Sequence, residues 1–396
     1  MLSATSRPVI EATLPVIAAH IEDITPVFYG KMFAARPDLL EGTFSRANQK
    51  NGTQPQALAG SIARFATWLL ENPDTMPEEL LARIAHKHTS LNVRADEYPT
   101  VHEHLFAAIV EVLGDAVTPE VAAAWDEVYW LMADALIKME KGLYEGLSAD
   151  VGYTPWRIAE ITEETESVKT FRLEPADDSV ATPGRPGQYV SVRLTTEDGL
   201  LQARQFSLSC SPESTEKRVI TVKRDQDGEI SPVMHSRLAV GDVIEVSPPF
   251  GLNALPSDDG RPLAFITAGI GITVTSAALC SLKRAEDSRS ILAVHADKSF
   301  STVARLEPVK QAIEALPNAR AEWFLREETG ADHRTDKVNL AELGVTPETH
   351  VFLCGPMAFM QAMREQALEI GVAPQDIHYD AFGPDIWMPA PGNPVQ

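Results

Sequence analysis

Long apolar runs are missing from this chain. No stretch approaches the ~18 consecutive apolar residues that a membrane-spanning helix needs. The opening MLSATSRPVIEATL lacks the apolar segment of a secretory leader, so a cytoplasmic location is expected. Basic charge is also short. The 34 Lys and Arg face 56 Asp and Glu, giving a net charge of −22. Such a balance argues against nucleic acid or an anionic membrane surface as a partner. Cysteine is scarce: Cys210, Cys280 and Cys354 are odd in number and far apart in sequence. Neither a disulfide framework nor a zinc site is expected from them, and a reducing compartment fits. Internal repeats and low-complexity tracts are absent too. What remains is a 396-residue chain, 44% hydrophobic and 23% charged, with enough apolar side chains for two or three domains.

Three patterns follow one another. Residues 1–147 carry helical periodicity, with helices expected near 8–20, 23–35, 55–71, 77–90, 97–113 and 119–146. Asp38–Gly52 is less regular, as a corner between helices is. Small and breaking residues at 148–154 read as a linker. Residues 155–257 hold six short strand-like runs, from WRIAEITEE to DVIEVSPPF, parted by Pro, Gly and Asp. They predict a small antiparallel β-barrel, interrupted by one short helix at Pro232–Leu238. From 258 to 396, strands such as PLAFITAG and HVFLCG alternate with helices such as ITVTSAALCSLKRA. Alternation of this kind predicts an α/β domain with a parallel sheet covered on both faces.

In the helical part, LARIAHKHTSL carries His86 and His88. At about 100° per residue on a helix they point to different sides. Leu81, Ile84, Ala85 and Leu91 form the apolar stripe, and His88 lies on it. His86 shares its side with Glu79 and Arg83 and reads as solvated. Glu140 stands among Leu136, Ile137, Leu143 and Tyr144, and a carboxylate in an apolar stripe needs a partner. Tyr98 opens another stripe with Val101, Leu105 and Val112. An inward imidazole bonded to Glu140, with Tyr98 on the same carboxylate, satisfies all three groups. A haem would use such an imidazole below its iron, an aromatic wedge at the corner and polar groups above. Phe44, Leu58, Gln54 and Tyr29 suit those places, but read equally as core, core, surface and half-buried residues. Glu140 itself has the alternative of curling out to solvent near the helix end.

The strands carry further candidates. In RQFS at 204–207, Arg204 is placed to clamp a pyrophosphate and Phe206 to stack on a planar ring, with Ser207 beside it. An exposed Arg next to a core Phe is the plainer alternative. PGQYV at 186–190 adds Tyr189 beside a Pro-Gly turn. Gly269-Ile270-Gly271 follows a strand and opens a helix with Ile272, Thr273 and Val274. A GxG so placed lets backbone N–H groups face a phosphate. Cys354-Gly355-Pro356 again follows a strand, although Cys354 also reads as a small core residue.

Together these residues resemble the flavohaemoglobins. Tyr29, Phe44, NQKNGTQ at 48–54, Leu58, KHTS at 87–90, Tyr98 and Glu140 match the family's globin domain. The segments that follow resemble its reductase, so the similarity spans nearly the whole chain. The resemblance implies that His88 binds haem iron, that Lys87 precedes the ligand as in the family, and that Tyr98 and Glu140 are the proximal relay. It implies that Tyr29 and Gln54 hydrogen-bond O₂. It also implies FAD at Tyr189, Arg204, Gln205, Phe206 and Ser207, with Asp380, Ala381, Phe382, Gly383 and Pro384 closing over the flavin from the C-terminal end. NADH or NADPH is implied at 269–274 and 354–356. Phe206 stands where the reductase pattern has Tyr, Val274 where it has Pro, and Asp380 where Glu is common. The implied function is a nitric oxide dioxygenase. NAD(P)H reduces FAD, FAD reduces one haem b, and O₂ oxidises NO to nitrate. The alternatives are an O₂-binding or gas-sensing globin whose reductase keeps the iron ferrous, and a haem-independent flavin reductase acting on ferric chelates or dyes. Beyond O₂ and NO no obligate partner is implied, and a monomer is expected. Asp297, after the second strand of the α/β domain, favours NADH, whereas Lys298 tolerates NADPH.

Overall fold

The structure is a computed structural model that describes residues 1–40, 53–147, 152–178, 181–210, 212–252, 255–328, 330 and 332–382. Two units emerge, one built on Met1–Gly152 with Arg193–Arg204, and one on Tyr153–Val192 with the chain from Gln205 onward. In the first, apolar side chains recurring every three or four positions give α1 (Ser6–Ala19), α2 (Ile21–Ala35), α3 (Thr53–Glu71), α4 (Glu78–Ser90), α5 (Tyr98–Leu113) and α6 (Pro119–Glu145). Proline in the first turn preorganises α5 and α6, where the missing N–H is no loss. Thr118 caps α6 by accepting from the Val121 N–H at 3.3 Å. Helix α2 packs on α5, and α4 packs on α6. Ile10, Phe28, Met32, Phe65, Leu81 and Val128 fill the space between the helices. The expected corner begins as a single 3₁₀ turn at Pro37–Leu40, and its remainder lies outside the described residues. No helix among the described residues is long and apolar enough to cross a membrane.

After the helices come β1 (Thr154–Thr165), β2 (Val168–Pro175), β3 (Tyr189–Thr195), β4 (Leu201–Ser207), β5 (Arg218–Lys223) and β6 (Val243–Val246). Their order is β4-β3-β6-β1-β2-β5, with β1 antiparallel to both β2 and β6. The two edges meet. An antiparallel bridge joins Leu208 to Ile220, and the Ser209 N–H donates to the Val219 carbonyl at 2.8 Å. The expected barrel is closed by this bridge, immediately after the RQFS run, so no long edge is left unpaired. The expected short helix is α7 (Ile230–Arg237).

Next come β7 (Leu263–Ala268), α8 (Ile272–Arg284), β8 (Ile291–Asp297), α9 (Leu306–Ala315), β9 (Ala319–Leu325), β10 (His350–Cys354), α10 (Met357–Ile370) and β11 (Ile377–Asp380). All strand pairs are parallel, in the order β11-β10-β7-β8-β9. Alternate residues of each strand feed opposite faces. Ala264 and Ile266 join one apolar cluster with Leu353 and Met360, while Leu263 and Phe265 join another with Leu279 and Phe352. The chain runs outward from β7 to β9, then returns to place β10 on the other side of β7. The C-terminal ends of β7 and β10 therefore flank a topological switch point, where open α/β sheets bind ligands.

One contact is not visible from sequence and one expectation needs correction. Cys210 and Cys280 are far apart in sequence, yet their Sγ atoms lie 2.6 Å apart, because the barrel segment after β4 packs on α8. His86 is half-buried rather than solvated, and burial pushes its imidazole down to about 4.

His295 on β8 is buried, with Nδ1 3.0 Å from the Thr267 hydroxyl. Burial holds its imidazole below the ordinary 6.5. An unfolded chain takes up that proton as pH falls through 6.5 while the folded chain does not, so stability present above that value drains below it. We expect urea unfolding to show lower stability at about pH 5.5 than at about 7.5. His295→Asn, less stable at the higher pH, should lose less between the two. An unchanged pH difference in that variant would refute the assignment.

Candidate functional site

Three helices deliver the central group of side chains. α4 brings His88, the start of α5 brings Tyr98 and the last third of α6 brings Glu140. His88 Nδ1 lies 2.8 Å from Glu140 Oε1 and 3.1 Å from the Tyr98 hydroxyl. Tyr98 donates its own O–H to the same Glu140 oxygen at 2.6 Å. Glu140 is 2% exposed, so its charge is compensated here and not by water. Burial first, and then the neighbouring carboxylate, push the Tyr98 hydroxyl far above its ordinary range, which keeps it a donor. With Tyr98 directed at the carboxylate, the proton between His88 and Glu140 belongs on Nδ1. The Nε2 lone pair is then left for another group. The His88 side chain remains one-third exposed (33%) although its helix face is buried.

Two tyrosines hold this arrangement, Tyr129, unnamed above, and Tyr144, named above only as a neighbour of Glu140. Tyr129 donates to the Tyr98 carbonyl at 2.7 Å, and Tyr144 donates to the Val93 carbonyl at 2.7 Å, just after α4. Their signal was present. Tyr129, Ala133, Leu136, Glu140 and Tyr144 step along α6 at three- and four-residue spacing, on the face that carries Glu140.

Of the other haem-pocket candidates, Tyr29 is buried on α2, its ring centroid 4.7 Å from Phe28 and 5.5 Å from Phe33. Lys87 is half-buried on α4. Phe44 and the side chains of Gln54 and Leu58 lie outside the described residues.

On the barrel, the Leu208 N–H donates to the Gln188 carbonyl at 2.9 Å, which sets 204–207 alongside 188–190. Phe206 and Tyr189 are half-buried and Ser207 is buried. Gln205 reaches the Ser191 hydroxyl at 3.4 Å. Arg204 Nη1 donates to its neighbour's carbonyl at Ala203, 2.7 Å away, and lies 3.4 Å from Gln202. Gly251 was missed. The Tyr189 ring passes 3.2 Å from where a Cβ would stand, and the residue adopts φ +124°, so only glycine fits.

At the switch point, Gly269–Gly271 forms a single 3₁₀ turn that leads into α8. A Cβ on Gly271 would stand 2.7 Å from the Cys354 carbonyl carbon and 3.1 Å from the Gly355 nitrogen. The two glycine loops therefore touch through backbone alone. Thr273 donates to the Ile270 carbonyl at 3.0 Å and tightens the turn, while Ile272, Thr273 and Val274 are buried. Pro356, exposed, ends the second loop. Cys354 is fully buried, and burial, then Asp380, push its thiol well up, which makes it a packing residue and not a nucleophile. Its strand register places it opposite Asp380. Ala381 and half-exposed Phe382 continue from there, while Gly383 and Pro384 lie outside the described residues. Asp297, at the end of β8, accepts from the Lys298 N–H and the Thr302 hydroxyl, each at 2.7 Å. Burial pushes its carboxyl up, but bonds from His295, Lys298 and Thr302 outweigh that and hold it low.

Comparison with known proteins matches these parts. Residues 27–136 fit the globin family model and 155–254 the oxidoreductase FAD-binding domain. The flavohemoprotein of Bordetella pertussis is 38% identical over 97% of this chain and 99% of its own length. That of Chromobacterium violaceum is 36% identical over 97% and 98%. Among solved structures, the flavohemoglobin of Malassezia yamatoensis superposes with a TM-score of 0.93 at 42% identity, covering 96% of this chain and all of that one (100%). The FAD- and NAD-binding domain of the Vibrio cholerae nitric oxide dioxygenase superposes with a TM-score of 0.55 at 30% identity, over 58% of this chain and 98% of that one. A helical unit with a buried His–Glu–Tyr group, a closed barrel and a switch-point sheet occur here in that family's order, and this chain belongs to the flavohemoproteins.

Proposed function

We propose that the chain is a nitric oxide dioxygenase: electrons pass from NAD(P)H to FAD and on to haem, and NO and O₂ leave as nitrate. The Malassezia relative was solved with FAD and haem, and the Vibrio relative is called a nitric oxide dioxygenase. The observation that carries the reading is the Glu140–His88–Tyr98 group. Haem fits it, because an imidazole fixed through Nδ1 presents Nε2 outward from a partly exposed face. Bound haem would supply the iron at which O₂ is activated.

The chain's own residues do the rest. Glu140 accepts the hydrogen bond from Nδ1–H and makes the imidazole electron-rich, which favours O₂ activation over simple storage. Tyr98 fixes the carboxylate, and Tyr129 fixes Tyr98. Tyr29, within the buried helical core, is assigned the hydrogen bond to the substrate O₂, with Gln54 in the same role. Lys87 stays beside the ligand histidine. On the barrel, Arg204 is assigned the flavin pyrophosphate, and Tyr189, Gln205, Phe206 and Ser207 the rest of the flavin. Residues 380–384 are assigned to the flavin as well. Backbone N–H groups at 269–274 would hold the nicotinamide cofactor's phosphates, and 354–356 would flank its ring. A charged Asp297 at the end of β8 suits a ribose hydroxyl better than a phosphate, so NADH is the preferred donor.

Three measurements test this. Each nitrate formed from NO and O₂ takes one electron, and a hydride supplies two. Purified protein should therefore consume NO and O₂ one for one, and two NO per NADH. If nitrate fails to accumulate, the reading fails. His88→Ala should lose the haem absorption band but keep flavin and NADH-driven reduction of ferric chelates. Glu140→Gln should retain haem, lower the iron–histidine stretching frequency and cut NO turnover about 10–100-fold. A wild-type frequency in that variant would remove Glu140 from the proposed role.

A further inference from the structure

The contact between Cys210 and Cys280 lies outside everything assigned above. Cys210 follows the strand of the flavin motif by three residues, just past the bridge that closes the barrel. Cys280 lies on α8, the helix opened by the Gly269–Gly271 turn. Their sulfurs are 2.6 Å apart, and each residue is half-buried. A disulfide S–S bond is about 2.05 Å long, so the sulfurs need close by only about 0.5 Å. Arg284, one turn further along α8, reaches the Cys280 sulfur and pairs with Glu213 at 2.6 Å. Glu213, from the barrel side, also accepts from Ser281. A guanidinium beside a thiol favours the reactive thiolate. On the same helix face Ser276 meets Arg305, whose backbone N–H and Nη1 bond Glu164 of β1 at 2.9 and 3.2 Å. The face of α8 that carries Ser276, Cys280 and Arg284 is thus the seam between barrel and sheet.

We propose that Cys210 and Cys280 are a peroxide-sensitive pair whose disulfide clamps the flavin barrel to the nicotinamide domain. The Cys280 thiolate attacks hydrogen peroxide, leaving a sulfenic acid and water. The Cys210 thiol then displaces the second water and forms the S–S bond. In sum, two thiols and one peroxide give one disulfide and two waters. Peroxide is the two-electron product of O₂ with a reduced flavin, so the pair stands where leakage from the reductase would be felt. Cys354, fully buried with its thiol pushed up, takes no part. On the flavin and nicotinamide placement proposed above, the nicotinamide would enter between the two parts that the clamp joins, and oxidation would slow its exchange.

The test treats the full-length, haem- and flavin-loaded protein with hydrogen peroxide, then alkylates remaining thiols and maps peptides by mass. Loss of alkylation at 210 and 280, with a linked peptide 2 Da lighter than the sum of the two, supports the proposal. So does a rise of roughly 5 °C in Tm that dithiothreitol reverses. Anaerobic flavin reduction by NADH should slow several-fold in the same sample. Cys210→Ser and Cys280→Ser, checked for normal haem and flavin absorption, should each lose both responses. The proposal is overturned if 210 and 280 remain alkylatable, if Cys354 is the partner found, or if the link forms with Tm and flavin reduction unchanged.

Discussion

A carboxylate with almost no contact with water organises the helical unit. Glu140 sits in an apolar stripe of α6, and leaving it unpaired there would cost on the order of several kcal/mol. Its partners arrive from two other helices, so α4, α5 and α6 are held in one relative placement by a single acid. The same bonds decide the chemistry. They put the histidine proton on Nδ1 and turn Nε2 toward the ligand side. Tyr129 and Tyr144 extend the arrangement by bonding backbone carbonyls rather than the site itself. Stability and reactivity here come from one network, so disturbing any member disturbs both.

The sheet domain solves a different problem, that of approach. A phosphate needs bare N–H groups, and two loops must come together to flank it. Gly271 permits this because no side chain stands between it and the Cys354 carbonyl. Buried Cys354 then packs the strand end, and Asp380 lies beside it in the neighbouring strand. The barrel contributes closure. One bridge between Leu208 and Ile220 joins its edge strands at the end of the RQFS run. Flavin candidates therefore stand on a fixed strand, three residues before the contact of Cys210 with Cys280.

Much of this was legible in the sequence because local rules produced it. Periodicities of 3.6 and 2 marked the helices and strands, and strand–turn–helix order marked the two glycine loops. An acid in an apolar stripe announced a partner, and His88 was the inward histidine. What stayed hidden depends on distances between segments remote in sequence. His86 reads as solvated from its own helix, but tertiary neighbours half-bury it. Gly251 carries no local signal, since its need arises from the Tyr189 ring. Cys210 and Cys280 lie seventy positions apart, and only the packing of barrel on helix makes them neighbours.

By itself, the sequence determined the elements, their order and the chemical types available at each site, because these follow from local spacing and side-chain chemistry. The tertiary structure alone decided which groups meet: Tyr98 with Glu140, Gly271 with Cys354, and one sulfur with another. Contact between distant segments is set by how whole faces pack, and that is a property of the assembled chain and not of any stretch within it.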